Sequence, residues 1–288
     1  MSNVQQGGEA YEELDELYDV WCAEVVEDLP FYLSLASALA REMGRETLDI
    51  VELGAGSGRV TVPLAAAGHR VTAIDASPAQ LDRLRERASA DADAAVSPIG
   101  TIHADMRTLD TLLPAASADL VLIPFRGMLH VTPDRAALLA AIHALLRPGG
   151  VVAFDVFHPT GEQVGATHGQ WLDRRDAATT RGRWRFQERA SYRPELAAEP
   201  GGLKLEVDVR CRWSARRRPT REVSPLPDPA PGAATERATL LELQLVPAER
   251  WASALSDAGF VIDGSYGWFD GRPLAADDDD SIWVARRA

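Results

Sequence analysis

An α/β fold on an open, mostly parallel sheet is predicted by three features of the chain. Between Leu48 and Asp155, apolar runs of strand length alternate with helical patterns. A glycine-rich turn, Gly54-Ala55-Gly56-Ser57-Gly58, stands where the first run gives way to a helix. Helix-start and helix-stop chemistry then punctuates the runs that follow. Strand, helix, strand repeated this often places helices on both faces of one sheet.

The elements follow in chain order. Leu14, Leu17, Tyr18 and Trp21 recur at helical steps, as do Phe31, Leu35 and Leu39, which predicts two helices up to about Met43 with a break at Pro30. Strands are expected at Leu48 to Leu53, Arg70 to Ile74, Gly100 to His103, Asp119 to Ile123 and Val151 to Phe157. Ser77-Pro78 and Thr132-Pro133 read as N-caps followed by a proline at the first helical position. The helix carrying Leu138, Ile142 and Leu145 should stop before Arg147-Pro148-Gly149-Gly150. The period then changes. Leu205, Val207, Val209, Cys211 and Trp213 alternate with charged residues, the two-residue period of a half-buried strand. Trp184, Phe186, Ala190 and Tyr192 suggest a partner interrupted by Glu188, and Leu241, Leu243 and Leu245 a third strand. Residues 161–246 thus read as an antiparallel insertion holding a mobile, proline-rich loop from Pro225 to Pro231. A helix from about Pro247 to Ala258 and strands at Phe260 to Tyr266 and Ile282 to Ala285 resume the sheet.

Composition narrows the function. The chain has 288 residues, of which 46% are hydrophobic and 25% charged, the balance of an ordinary globule. Thirty basic against 43 acidic residues give a net charge of −13, which argues against nucleic acid or an anionic membrane as partner and favours a neutral or cationic small molecule. Cys22 and Cys211 alone build neither a disulfide framework nor a thiolate metal centre, so no metal is expected and a reducing compartment is. No run of eighteen apolar residues is present, and MSNVQQGGEA has no leader-like pattern, so a cytoplasmic location is expected.

The glycine turn carries the chemistry. Glycines let the backbone approach a ligand, and a helix N-terminus offers free N–H groups. A dinucleotide site spaces its glycines G-x-G-x-x-G, whereas Gly54, Gly56 and Gly58 give G-x-G-x-G, which favours S-adenosylmethionine over a nicotinamide cofactor. Asp75, at the end of the second strand, can accept both ribose hydroxyls; the plainer reading is a solvated Asp opening a turn. Asp105 and Met106 follow the third strand, where a carboxylate could accept the adenine amino group and a thioether pack on the ring. With Leu146-Arg147-Pro148-Gly149-Gly150, these elements over residues 45–158 resemble class I S-adenosylmethionine-dependent methyltransferases. Leu17-Tyr18-Asp19, Asp28-Leu29-Pro30-Phe31-Tyr32, Asp155-Val156-Phe157-His158-Pro159 and Ala258-Gly259-Phe260 are similar to the subset acting on small molecules, the glycine N-methyltransferase-like and natural-product enzymes.

The resemblance implies a Rossmann-like, seven-stranded sheet with its last strand antiparallel, an N-terminal helical lid over residues 1–44, a cofactor-binding core over 45–160, a substrate cap over 161–246 and the rest of the core over 247–288. It implies that Tyr18 and Tyr32 of the lid reach the cofactor. Glu52, Gly54, Ala55, Gly56, Gly58 and Arg59 would line the methionyl and ribose side, Asp75 and Ala76 the ribose and adenine edge, Asp105 and Met106 the adenine, and Pro124, Phe125 and Arg126 the sulfonium. Pro124-Phe125-Arg126 departs from the [D/N/S]-P-P-[F/Y] motif of nucleobase amino-methyltransferases, which disfavours that acceptor class.

His158 and His130 follow the fifth and fourth strands, where open α/β sheets bind ligands, and are the candidate bases; Tyr18 is the alternative, either orienting the methyl group or accepting a proton. His69, His103 and His143 read as structural. The arginines 210, 212, 216, 217, 218 and 221 read as an outward strand face and a loop rather than an RNA site, and Asp277 to Asp280 as a solvated turn. The expectation is transfer of a methyl group to N, O or C of a small secondary metabolite, possible homodimerisation through Trp184, Phe186, Leu205 and Val207 included. A nicotinamide-dependent oxidoreductase and a non-catalytic binding module are the alternatives.

Overall fold

The computed structural model describes residues 13–14, 16–23, 26–90, 97–215, 226, 228–230 and 232–288. Strands β1 (Asp49–Leu53) and β4 (Ala118–Ile123) are almost wholly buried, which is why their sequences are continuous apolar runs. They lie at the centre of a seven-stranded sheet with β2 (Arg70–Asp75) and β3 (Ile99–His103) on one side. On the other lie β5 (Leu146–Phe157), the last strand of the chain (β11, Asp280–Arg287) and β10 (Phe260–Tyr266). The last strand slots between β5 and β10 and runs antiparallel to both, while all other pairings are parallel. Arg147-Pro148-Gly149-Gly150 belongs to the start of β5 instead of a loop: Gly149 takes φ +79°, and a Cβ on Gly150 would stand 3.1 Å from the Asp119 carbonyl oxygen.

Helices cover both faces. On one, Leu138, Ile142 and Leu145 of the helix Arg135–Leu145 and Trp251 and Leu255 of the helix Ala248–Asp257 pack on Phe154 and Val152. On the other, Tyr32, Ala36 and Leu39 of the helix Asp28–Glu42 join Leu64 of the helix Thr61–Ala66 over Ile50 and Leu122. Pro30 does not break the N-terminal helices: it is the third residue of Asp28–Glu42, within the first turn, where its missing N–H leaves no bond unmade. The break falls between Trp21, which ends the short helix Leu17–Trp21, and Asp28. Thr132 is likewise no N-cap; its hydroxyl donates to the Gln244 carbonyl at 2.6 Å.

The insertion is a four-stranded antiparallel meander: β6 (Trp171–Ala178), β7 (Gly182–Arg193), β8 (Leu203–Ala215) and β9 (Glu236–Leu245). Strand β6 escaped the two-residue period because a bulge between Asp173 and Arg175 shifts its phase. Glu188 does not interrupt β7; it stays in register opposite Val209 and pairs with Arg174 at 3.0 Å. The short helix Gly161–Thr167 was not anticipated; Thr160 caps it, accepting the Gln163 N–H. Trp184, Phe186 and Leu205 are unavailable to a partner subunit, because Trp184 and Phe186 pack against Leu14 and Leu17 and Leu205 joins the core. The opposite face is a ladder of ion pairs, with Arg210 and Arg212 on Glu236 and Arg189 on Asp208. Arginines 216, 217, 218 and 221 lie outside the described residues, as do 225, 227 and 231 of the loop expected to be mobile. Within that loop Leu226 is buried on the meander and Asp228 accepts Thr179 Oγ1 at 2.7 Å, so these two are anchored. No helix among the described residues is long and apolar enough to cross a membrane.

Candidate active site

A cavity of about 1080 Å³ opens at the carboxyl ends of the parallel strands, where this architecture places ligands. Its floor is the glycine turn. Gly54 takes φ +71°, and a Cβ there would sit 3.4 Å from Met106 Cε, so glycine keeps the backbone open beside the thioether. Gly54 and Ala55 donate to the Ile74 carbonyl at 2.8 and 3.1 Å, and Gly56 donates to Asp75 Oδ2 at 2.7 Å. Gly58 serves packing instead of the ligand: it does not line the cavity, and a Cβ on it would come 2.7 Å from Leu84.

Two acids face this floor. Glu52, 2% exposed, accepts the Thr61 hydroxyl, and burial pushes its carboxyl up to about 7 against the opposing pull of Thr61 and Arg59. Asp75 accepts Ser77 N–H at 2.8 Å besides Gly56, and burial raises its carboxyl above the ordinary range despite both donors. A second lone pair remains on each of its oxygens. Ala76, Asp105 and Met106 also line the cavity. Asp105 turns most of its capacity to its neighbour, because Arg107 closes on both carboxylate oxygens at 2.6 to 3.1 Å. Burial opposes ionisation of Asp105, yet the guanidinium outweighs it and the pKa falls.

The N-terminal segment closes one wall. Tyr18 lines the cavity, and next to it Asp19 accepts Ser57 Oγ at 2.6 Å and Arg87 at 3.0 Å. Arg59 lines the wall as well and donates twice to buried Asp28, both at 2.6 Å. Asp19 and Asp28 stand in the lid motifs of the sequence, but a carboxylate's partner 30 or more residues away leaves no local signal. Tyr32 does not reach the cavity; it is fully buried and its hydroxyl donates to Asp155 Oδ1 at 2.7 Å.

After β4 the chain makes an unusual turn. Phe125 and Arg126 are non-glycine residues at φ +55° and +60°, each costing about 1–2 kcal/mol over the right-handed alternative. Pro124 and Phe125 line the cavity, with the Arg59 guanidinium 5.4 Å from the Phe125 ring centroid. The Arg126 side chain points elsewhere, to Asp280 at 2.7 Å and over the Phe157 ring. His130 lines the cavity, and burial pulls its imidazole down to about 4, so it is neutral at pH 7. His158 is not among the residues that line the cavity, and its backbone N–H donates to the Asp279 carbonyl at 2.7 Å. Asp277 to Asp280 is a structural turn, with Asp278 on Arg272, Asp279 on Thr160 N–H and Asp280 on Arg126. No metal-binding cluster occurs among the described residues.

The far wall comes from the meander. Thr239 to Gln244 of edge strand β9 line the cavity with Lys204, which pairs with Glu242 at 2.5 Å. Period-two reading found the strand but not its placement, which the Thr132–Gln244 bond to the turn after β4 secures. Leu241 and Leu243 add apolar lining to the cavity, which His130 and Val131 also border.

Glu52 makes the chain's stability pH-dependent. Its pKa in the fold, about 7, exceeds the ordinary 4.5, so its contribution is fully present below pH 4.5 and lost as pH rises through 7. That range corresponds to about 3 kcal/mol. Glu52→Gln, whose carbonyl can keep the Thr61 hydroxyl, is expected to melt higher than the parent at pH 8.5 and to match it near pH 4.5. Thermal denaturation across that range checks this; equal melting at pH 8.5 contradicts a buried charge at Glu52.

A methyltransferase-domain family model matches residues 50–150. Over 150 residues the chain is 31% identical to the carboxy-S-adenosyl-L-methionine synthase of Photobacterium profundum, covering 48% of this chain and 59% of that protein. It is 28% identical to the tRNA 5-carboxymethoxyuridine methyltransferase of Escherichia coli over 120 residues, covering 42% and 44% respectively. The chain thus spans about half the length of the curated relatives it matches. Among solved structures, the CcbJ methyltransferase of Streptomyces caelestis superposes with a TM-score of 0.73 at 20% identity, covering 98% of this chain and 99% of that one. The glycine turn and the domain match agree over residues 50–150, which match a methyltransferase-domain model, and the sheet with its inserted last strand gives the chain the class I S-adenosylmethionine-dependent methyltransferase fold.

Proposed function

We propose that this chain binds S-adenosylmethionine and transfers its methyl group to a nitrogen, oxygen or carbon of a small molecule, a secondary metabolite by the resemblance of its flanks. One observation carries the reading: a single cavity joins the glycine turn, Asp75 and Met106 on one side to His130 and β9 on the other. The donor set suits the cofactor. Glu52 and Asp75 are buried carboxylates whose ionisation is disfavoured until a cation stands near, and glycine at position 54 keeps the backbone beside the Met106 thioether free of a side chain.

When bound, the cofactor supplies an electrophilic methyl group. The chain's own part is to align and to exclude water, and alignment is worth about 7–11 kcal/mol of barrier against roughly 10²- to 10⁴-fold for a base. His130 and Tyr18 border the same space, His130 as a neutral imidazole whose basicity burial weakens, and Leu241 and Leu243 offer an apolar rest for the acceptor body. Among the described residues, arginines 189, 210 and 212 of the meander are each paired with an acid, which favours a small acceptor over a phosphate-bearing one.

Calorimetric titration of S-adenosylhomocysteine, with NADH as control, tests the cofactor. Labelled methyl transfer to a panel of amines and phenols, with bulk tRNA alongside, tests the acceptor. Tight binding and transfer to the panel are expected, with His130→Ala about 10²-fold slower at unchanged cofactor affinity. No binding, or preference for NADH, removes the cofactor reading; transfer to tRNA alone removes the acceptor reading.

A further inference from the structure

Asp155 is 5% exposed and does not line the cavity, and yet both of its carboxylate oxygens are engaged by donors that matter to the site. Oδ1 accepts the Tyr32 hydroxyl at 2.7 Å and Oδ2 accepts the Arg126 backbone N–H at 2.8 Å. Arg126 is the second of the two left-handed residues that follow β4, and Pro124 and Phe125 before it form cavity wall. A turn in this conformation persists only where its surroundings over-determine it. The surroundings here include the Asp155 bond to the backbone, the Arg126 side chain on Asp280 and over the Phe157 ring, and the turn's own bonds, Gly127 N–H to the Pro124 carbonyl at 3.2 Å and Leu129 N–H to the Arg126 carbonyl at 2.9 Å. Of these, the Asp155 bond is the one that ties the Arg126 backbone to a neighbouring strand, β5. Tyr32 is fixed in turn by edge contacts with Phe31 and Phe269 at 5.6 and 6.1 Å.

We propose that Asp155 is a positioning residue, holding the Pro124-Phe125-Arg126 turn as one wall of the site, and that Tyr32 orients Asp155 instead of touching a ligand. The proposal rests on the methyltransferase reading only in naming the cofactor as what the wall faces. Tyr32, placed by resemblance at the cofactor, thereby acts on the site through two hydrogen bonds in series. Asn can replace Asp here, since its carbonyl oxygen can accept Arg126 N–H while its amide donates to the Tyr32 oxygen; Leu cannot.

The test compares Asp155→Leu, Asp155→Asn and Tyr32→Phe with the parent in two readouts. The first is hydrogen exchange of the Arg126 amide, read against central amides such as Val121. The second is affinity for S-adenosylhomocysteine by calorimetry. Asp155→Leu is expected to speed exchange at Arg126 about tenfold relative to Val121 and to weaken binding about tenfold, with Asp155→Asn restoring both to within about threefold. Tyr32→Phe, which leaves the backbone bond in place, should speed Arg126 exchange about threefold. It decides the matter if the leucine variant fails to fold. A merely structural role would speed exchange everywhere alike and leave the folded protein's affinity unchanged. Exchange at Arg126 no faster than at Val121, or asparagine restoring neither readout, overturns the proposal. If the parent itself binds no S-adenosylhomocysteine, the methyltransferase reading falls, and the exchange comparison still decides whether Asp155 holds the turn.

Discussion

Asp75→Ala is expected to weaken S-adenosylhomocysteine binding by roughly 10- to 150-fold, the equivalent of about 1.5–3 kcal/mol for hydrogen bonds to a charged group. The carboxylate has two duties. It faces the cavity, where its remaining lone pairs can accept ligand hydroxyls, and it accepts the N–H groups of Gly56 and Ser77 at 2.7 and 2.8 Å. Alanine therefore removes a ligand contact and also releases the glycine turn from the end of β2. Melting temperature should fall with affinity, because two partly buried N–H groups lose their acceptor, although relief of the buried carboxylate offsets part of that loss. Asp75→Asn separates the duties: one oxygen can keep one backbone donor, so stability should recover further than affinity. Calorimetry and thermal denaturation of the three proteins check this. Affinity of the alanine variant within twofold of the parent would show that Asp75 only closes a turn.

The contrast between Asp75 and Asp28 shows what could be read from the chain. Asp75 was legible because its neighbours in sequence, Ala76, Ser77 and Pro78, announce a strand end meeting a capped helix, and Ser77 Oγ does accept Gln80 N–H. The central strands were legible for a similar reason: burial on both faces imposes a continuous apolar run. What escaped depends on partners distant in the chain. Asp28 meets Arg59, Asp19 meets Ser57 and Arg87, and Tyr32 meets Asp155 across 123 positions. An aromatic in a lid motif carries no local sign of whether it faces a ligand or a buried acid. His158 stands at the strand end expected of it, yet outside the residues that line the cavity, a distinction that nothing near it in the chain encodes. Strand β6 was lost to its own bulge, and the edge of β9 became cavity wall through one long-range bond from Thr132.

Arg59→Ala is expected to be the most destabilising single change around the site. The guanidinium donates in parallel to both oxygens of Asp28, a carboxylate 1% exposed at the first position of the helix Asp28–Glu42. Breaking such a pair from one side leaves an uncompensated buried charge, about 3–5 kcal/mol for fully buried cases. Because the Arg59 side chain is 28% exposed, water can partly replace it, and about 3 kcal/mol is the reasonable figure. In a chain of this size that lowers the melting temperature by roughly 6–12 °C. Lysine should rescue little, since a single ammonium cannot reproduce the parallel pair of bonds or lie over the Phe125 ring. Arg59 is also the cation that lowers the Glu52 pKa, so in its absence the Glu52 carboxyl should titrate above about 7 and the loss of stability should grow with pH. The double variant Asp28→Asn, Arg59→Ala removes the stranded charge and should be more stable than Arg59→Ala alone, a coupling that thermal denaturation of the four proteins measures. If the double variant is no more stable than the single one, the cost lies in lost packing of the arginine stem and not in an unpaired Asp28.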